Sequence, residues 1–300
     1  MDPTQRNRLA FGRRCVLAAA VLWSLSGVIA KGLDGLDAPV IAFYRGLFAG
    51  LVLLPWASRS RRSFRPGMIH LVFAFGAMTG MFIGAIKTTT AANAIFLQYS
   101  SAIWAVPASL LILRERPDRR SLLGISVAAV GILVIVSRGE KGPDDQLGIS
   151  LALASGLCYA LVAVGIRALR DCDPIWLSAV NNLGGSMVLG AWILGTAGSI
   201  PLPTPVEALA LLAFGVVQMA IPYALFARGL QEVPAPEAGL ISLIEPLLNP
   251  LWVFLFHAER PAPETIQGGA LVLCGVALRY LPWRWPGRRP IPAPDREIDA

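Results

Sequence analysis

Charge is scarce in this sequence. Only 15% of its 300 residues are Asp, Glu, Lys or Arg, against 55% apolar residues and a mean hydropathy of +0.60. A domain whose surface meets water needs more charge than that, so a soluble globular protein is excluded. The four cysteines, Cys15, Cys158, Cys172 and Cys274, have no C-x-x-C spacing, which speaks against a disulfide framework or a zinc site. The two histidines, His70 and His257, show neither an H-E-x-x-H pattern nor a carboxylate at metal-ligand spacing. No glycine-rich phosphate loop follows a strand, and the alternation of a membrane barrel is missing too. Catalysis and ATP-driven pumping have no motif to rest on, and no metal or cofactor is expected.

What the sequence has is apolar length. Ten runs cover about 15–33, 38–56, 68–86, 92–113, 121–137, 148–167, 175–195, 206–227, 237–256 and 266–282. Most reach the roughly 17 to 25 residues with which a helix crosses about 30 Å of hydrocarbon. A lipid-exposed backbone must satisfy its own hydrogen bonds, so the expectation is an all-α membrane protein with ten transmembrane helices. The basic start (Arg6, Arg8, Arg13, Arg14) also suits a signal peptide. The first run is long for one, however, and lacks a small-residue cleavage site, so it is expected to be retained.

The runs fall into two matching sets of five. Glu115-Arg116-Pro117 and Glu259-Arg260-Pro261 each close an apolar run, and glycines follow at equal intervals, Gly124 and Gly131 in one case, Gly268 and Gly275 in the other. Lys31 recurs as Arg167. A fixed period of this kind reads as internal duplication, with repeats at 15–137 and 148–282 between tails at 1–14 and 283–300. Because five is odd, the second copy enters the membrane from the side opposite to the first. Such inverted repeats recur in secondary transporters, where two like halves exchange conformations around a site near the midplane.

Basic residues set the orientation. Twenty of the 26 Lys and Arg lie in the N-terminal stretch, the even-numbered loops and the C-terminal stretch. Lys31, Lys87, Arg138, Lys141 and Arg260 lie in the odd-numbered loops, and Arg45 lies inside a run. The positive-inside rule then places both termini in the cytoplasm. The net charge of +7 thus reflects topology. No nucleic-acid partner is implied, and anionic lipid headgroups are the most that the Arg-rich tail is expected to hold.

Residues 18 to 31, Ala-Ala-Ala-Val-Leu-Trp-Ser-Leu-Ser-Gly-Val-Ile-Ala-Lys, resemble the opening helix of EamA-domain proteins in the drug/metabolite transporter superfamily. Phe43-Tyr44-Arg45 and the two Glu-and-glycine signatures resemble that family as well, so the likeness covers nearly all of the chain. The resemblance implies a ten-helix inner-membrane carrier, often an exporter of amino acids or other metabolites, driven by exchange or an ion gradient. It also implies a cavity made chiefly by runs one, three, four, six, eight and nine. One departure is Asn181, which stands where the second copy would repeat Arg45, so any role of Arg45 is not duplicated.

Candidate site residues come from the period itself. A shift of 144 residues puts Gln98 on Ser242, Ser101 on Glu245 and Ala105 on Asn249, and spacings of three and four give each trio one helical face. With Trp104, Tyr159 and Gln218 these form the expected lining of a substrate cavity, the alternative use of such Ser and Gln residues being hydrogen bonds between helices. Glu245 is the single acidic residue well inside an apolar run and Arg45 the single basic one. Either one costs a few kcal/mol in hydrocarbon if unpaired. Glu245 therefore reads as a proton or cation coupling site, or else as the partner of Arg45 or Asn249. Pro246, Pro250, Pro107 and Pro222 predict kinks, and the glycine stripes predict close helix packing ahead of a dimer interface. Glu115 and Glu259 read as partners of nearby arginines or as helix caps. The expected function is a secondary transporter, an exporter of a small organic metabolite, amino acid-like compounds among the candidates, working by alternating access. The alternative is a polytopic protein without transport, an intramembrane enzyme or a channel. The partners are a small-molecule substrate and membrane lipid, and the oligomeric state is open.

Overall fold

The computed structural model describes residues 3–57, 62–115, 117–138 and 143–280. The expected C-terminal tail at 283–300 and the last two residues of the tenth run lie outside them. All regular structure among the described residues is helical. In chain order the ten segments are Pro3–Trp23 continued by Ser26–Lys31; Ala38–Trp56; Gly67–Thr88; Ala91–Gln98 with Ser101–Ile112; Arg119–Arg138; Pro143–Ala168; Pro174–Ala197; Pro205–Gly215 joined through a π turn to Ile221–Gly229; Ala235–Ser242 with Ile244–His257; and Pro263–Tyr280. Among the described residues nine of these are long and apolar enough to cross a membrane. The tenth has a shorter apolar stretch, Pro263–Leu278, so the expected ten full spans become nine and a shorter helix.

Helix starts follow local chemistry. Asp173 accepts a hydrogen bond from Trp176 N at 2.8 Å ahead of Pro174, and Thr204 forms a reciprocal capping box with Glu207 ahead of Pro205. Asp118 accepts from Ser121 N at 2.9 Å, and its bonds to Ser121 hold the carboxyl below the usual aspartate range. Outward-facing Leu111, Leu133, Leu209 and Ile69 stay exposed, as side chains do that meet lipid.

Contacts between loops sort into two ends. At one end Arg13 pairs with Glu237, Arg65 with Asp171 and Arg167 with Glu115, and Trp176 Nε1 donates to Ser63 O. At the other, Lys31 pairs with Glu259, Lys87 Nζ donates to Leu33 O and Leu36 O, and Thr89 Oγ1 donates to Asp145. Each contact joins loops of the same parity, so successive segments run antiparallel and the two copies are inverted. The first set is called the basic end and the second the lysine end.

The glycine stripes meet each other. A Cβ placed on Gly268 would lie 2.5 Å from Gly131 O, and one on Gly275 would lie 2.6 Å from Ala128 N. Segments five and ten, equivalent in the two repeats, thus pack backbone to backbone, which requires residues without side chains at those crossings. By contrast a Cβ on Gly195 meets nothing within 4 Å. Gly268→Leu is expected to lower the melting temperature in detergent, since overpacking costs about 1–3 kcal/mol or more. Gly195→Leu is expected to leave it within a degree or two; equal losses for both would show that the seam is not tight.

Candidate functional site

Segments four and nine are interrupted at one shared register. Segment four breaks at Tyr99 and Ser100, and segment nine at Leu243, which is 144 residues after Tyr99. At both places the backbone tightens to three-residue bonding: Ser100 N donates to Leu97 O at 3.0 Å, Ile103 N to Ser100 O at 2.8 Å and Leu243 N to Leu240 O at 3.2 Å. Pro246 explains the second break, because it has no N–H and its ring crowds the carbonyl of Ser242 four residues back. Segment four has no proline there. Instead Gly156 of segment six comes so close that a Cβ on it would lie 2.9 Å from Gln98 O.

The continuous faces expected from the spacing are therefore divided. Gln98 closes one half-helix and Ser101 opens the next, while Ser242 and Glu245 flank the break at Leu243. Gln98 Nε2 donates to Ser155 Oγ at 2.7 Å, and Ser155 donates to Met78 O at 3.0 Å, tying segments four, six and three. Ser242 Oγ turns back to Ala238 O of its own helix at 2.9 Å. Asn249 is fully buried and donates to Ser26 Oγ of segment one at 2.8 Å. Ser101 is half-buried, and Trp104 and Tyr159 are both 41% exposed.

Arg45 is buried, with its guanidinium carbon 4.9 Å from the centre of the Phe214 ring. Its Nη1 makes a long 3.5 Å bond to Gln218 Oε1, and its Nε has no partner among the described residues. Gln218 lies in the π turn Val216–Ala220, where Pro222, four residues on, disturbs the regular ladder. From there Gln218 Nε2 reaches Trp23 O at 3.1 Å, so one amide joins segments eight, two and one.

Glu245 is half-buried. It lies on the side of its helix that carries buried Asn249 and Val253, away from exposed Leu247, Leu251 and Phe254. Among the described residues it makes no ion pair and no hydrogen bond. The direct Glu245–Arg45 pair is accordingly not formed, nor is a bond from Glu245 to Asn249. Tyr223 of segment eight interacts electrostatically with both charges.

Several polar contributors escaped the sequence reading. Trp252 Nε1 donates to Ser24 Oγ at 2.9 Å, and Trp23 packs edge-on against Tyr223 with ring centres 5.5 Å apart. Ser24 and Ser26 inside an otherwise apolar run, and Tyr223 directly after Pro222, were the available signals. Among the described residues no group of three or more His, Cys, Asp or Glu is placed to hold a metal ion.

Comparison with known proteins matches the EamA-like transporter family at residues 11–137 and again at 146–281. A protein named an uncharacterized transporter from Archaeoglobus fulgidus is 30% identical over 278 residues, 91% of this chain and 97% of that one. The uncharacterized inner membrane transporter YicL of Salmonella typhimurium is 27% identical over 288 residues, covering 88% and 93%. A solved crystal structure at 17% identity superposes with a TM-score of 0.65 over 89% of this chain and 96% of its own, which shows a shared fold.

The position of Gln218 gives a stability test. Gln218→Leu leaves Trp23 O and the Arg45 guanidinium short of a partner inside the bundle and is expected to cost about 1–3 kcal/mol. Gln218→Glu supplies Arg45 with a counter-charge and is expected to melt above the Leu variant. Thermal unfolding in detergent compares the two, and a Leu variant as stable as the parent would show that the amide carries no structural weight.

Proposed function

The chain belongs to the EamA-like transporter family, and from that premise we propose that this membrane transporter is a secondary carrier exporting a small organic metabolite across a bacterial inner membrane by alternating access. The observation that carries the reading is the shared break in segments four and nine. Inverted repeats whose matching helices are interrupted at equivalent places expose backbone and polar groups in the middle of the bundle, where a carrier holds its substrate. Gln98, Ser101, Trp104, Tyr159, Gln218, Ser242 and Asn249 are the side chains assigned to that route. Their amides, hydroxyls and rings suit a ligand with a polar part and an apolar part.

Glu245 is assigned the coupling role. An unpaired carboxylate within the bundle costs a few kcal/mol on insertion scales, and a carrier recovers that cost if the group takes up a proton, cation or cationic substrate group in one state and releases it in the other. Both termini are assigned to the cytoplasm on the distribution of basic residues.

Metabolite profiling of cells that lack or overproduce the protein is expected to reveal a compound that accumulates inside on deletion and outside on overproduction. With that compound, protein in liposomes is expected to show saturable flux; unsaturable conductance would make it a channel instead. Glu245→Gln keeps the shape and removes the charge. It is expected to fold normally, to lower flux at least tenfold and to flatten the pH dependence of what remains. Unchanged flux at every pH would take Glu245 out of the mechanism. A reporter fused after Arg289, outside the described residues, is expected to read cytoplasmic.

A further inference from the structure

The two Glu-Arg-Pro segments close the two ends of the molecule, and they do so by the same cross-repeat pairing. Glu259, at the end of segment nine, pairs with Lys31 at the end of segment one. Glu115, at the end of segment four, pairs with Arg167 at the end of segment six. Glu115 and Glu259 are equivalent in the repeat, and so are Lys31 and Arg167. Each glutamate of one copy therefore holds the basic residue of the other copy, once at each end of the bundle.

The two pairs differ in how far they are built in. At the lysine end the side chains are only 20% and 19% exposed. Glu259 Oε1 also accepts Ala91 N, the first amide of segment four, at 2.8 Å, and Lys31 Nζ reaches Thr89 O at 3.4 Å. Three segments are thus locked together. At the basic end the pair is 60% and 48% exposed and joins two segments. The amide equivalent to Ala91 is that of Ala235, first in segment nine, and the Glu115 carboxylate accepts Arg167 Nη2 at 2.8 Å.

Behind the lysine-end pair stands a ladder between segments one and nine. Ser24 bonds Trp252 at 2.9 Å, Ser26 bonds Asn249 at 2.8 Å and Val28 O meets His257 Nε2 at 2.9 Å. The repeat-equivalent positions in segments six and four hold Ala160 with Ala108, Val162 with Ala105, and Leu113 in place of His257. At these equivalent positions the ion pair is kept and the three polar rungs are replaced by small or apolar residues.

We propose that Lys31–Glu259–Ala91 and Arg167–Glu115–Ala235 are the two alternating latches of the transport cycle, and that the polar ladder makes the lysine end the one closed at rest. The resting carrier is then open toward the basic end. Turnover releases Glu259 from Ala91 and lets Glu115 take the amide of Ala235. This rests on the transporter reading above, but its test needs no substrate. Two states linked in this way are reciprocal: whatever weakens one closed end populates the state in which the other is closed.

Hydrogen exchange on the full-length protein in lipid nanodiscs reads both ends at once. Glu259→Gln is expected to speed exchange of the peptide covering Thr89 to Asn93 about tenfold, the loss expected for a hydrogen bond to a charged acceptor. It is expected to slow exchange in the peptides spanning Glu115, Arg167 and Ala235. Trp252→Phe removes one rung and is expected to move both ends in the same directions by less, and it carries the test if Glu259→Gln does not fold. Faster exchange confined to the lysine end, in either variant, would overturn the latches. Reciprocity in protein that shows no flux with any metabolite would uphold the latches and overturn the transporter reading. Normal flux without reciprocity would do the reverse.

Discussion

The constraint behind this structure is that a backbone within a bilayer must find its hydrogen bonds inside the protein. Regular helix meets that demand alone, so each departure from it needs a specific answer. At Ser24 the answer is a side chain that bonds Val21 O at 2.6 Å and also accepts Trp252 Nε1. At Tyr99 and Ser100 it is three-residue bonding, with segment six pressed against the break through Gly156. At Leu243 it is the same tightening, imposed by Pro246. At Gln218 it is a π turn whose own side chain bridges to Trp23 O. These departures fall in segments one, four, eight and nine, and the peripheral pair, five and ten, has none. Irregular backbone is thus concentrated where the bundle meets itself, the one place in a membrane that can tolerate it.

Duplication supplies the frame and divergence supplies the chemistry. The glycine seam between segments five and ten is alike in both copies because its task is alike: two helices must approach until only backbone separates them. Arg45 and Asn181 occupy equivalent places with unlike chemistry. Arg45 lies over Phe214 and near Gln218, whereas Asn181 is buried with its Oδ1 unpartnered among the described residues. An inverted pair that was identical in sequence would hold its two end-closed states at equal energy. On the proposed cycle, the unequal replacement of Ser24, Ser26, Asn249 and Trp252 by small or apolar residues in the other interface would remove that degeneracy, since hydrogen bonds inside the bundle at about 1 kcal/mol each shift a two-state population severalfold.

The sequence made the apolar segments, their antiparallel order and the close packing of the glycine stripes legible, though not that the two stripes meet each other, because hydrophobic length, loop charge and a fixed period are local or one-dimensional signals. It also made the equivalence of Gln98 with Ser242 and of Ser101 with Glu245 legible. What it hid was the break between the members of each trio. A spacing of three or four implies one face only if the helix is continuous, and no proline marks the interruption at Tyr99. It hid as well the partners of buried polar groups. Nothing in the spacing of Asn249 points to Ser26, which lies in the other repeat, and nothing in Glu115 or Glu259 singles out Arg167 or Lys31. Such pairings depend on which segments become neighbours, a property of the folded bundle.

Two charges inside the apolar segments have met different fates. Arg45 is built in: an aromatic face covers its guanidinium, an amide stands near it, and little of it is exposed. Its positive charge is thus a fixed feature of the interior. Glu245 is half-buried with no bond among the described residues, on the inward side of a helix already broken at its start. A carboxylate locked to Arg45 would have been a strut, and breaking such a pair leaves an uncompensated buried charge. Held apart, the two place a guanidinium and a carboxyl group in one interior without a direct bond between them among the described residues. That separation is what the proposed coupling role of Glu245 requires, because a carboxyl group locked to Arg45 would not exchange a proton or cation between states.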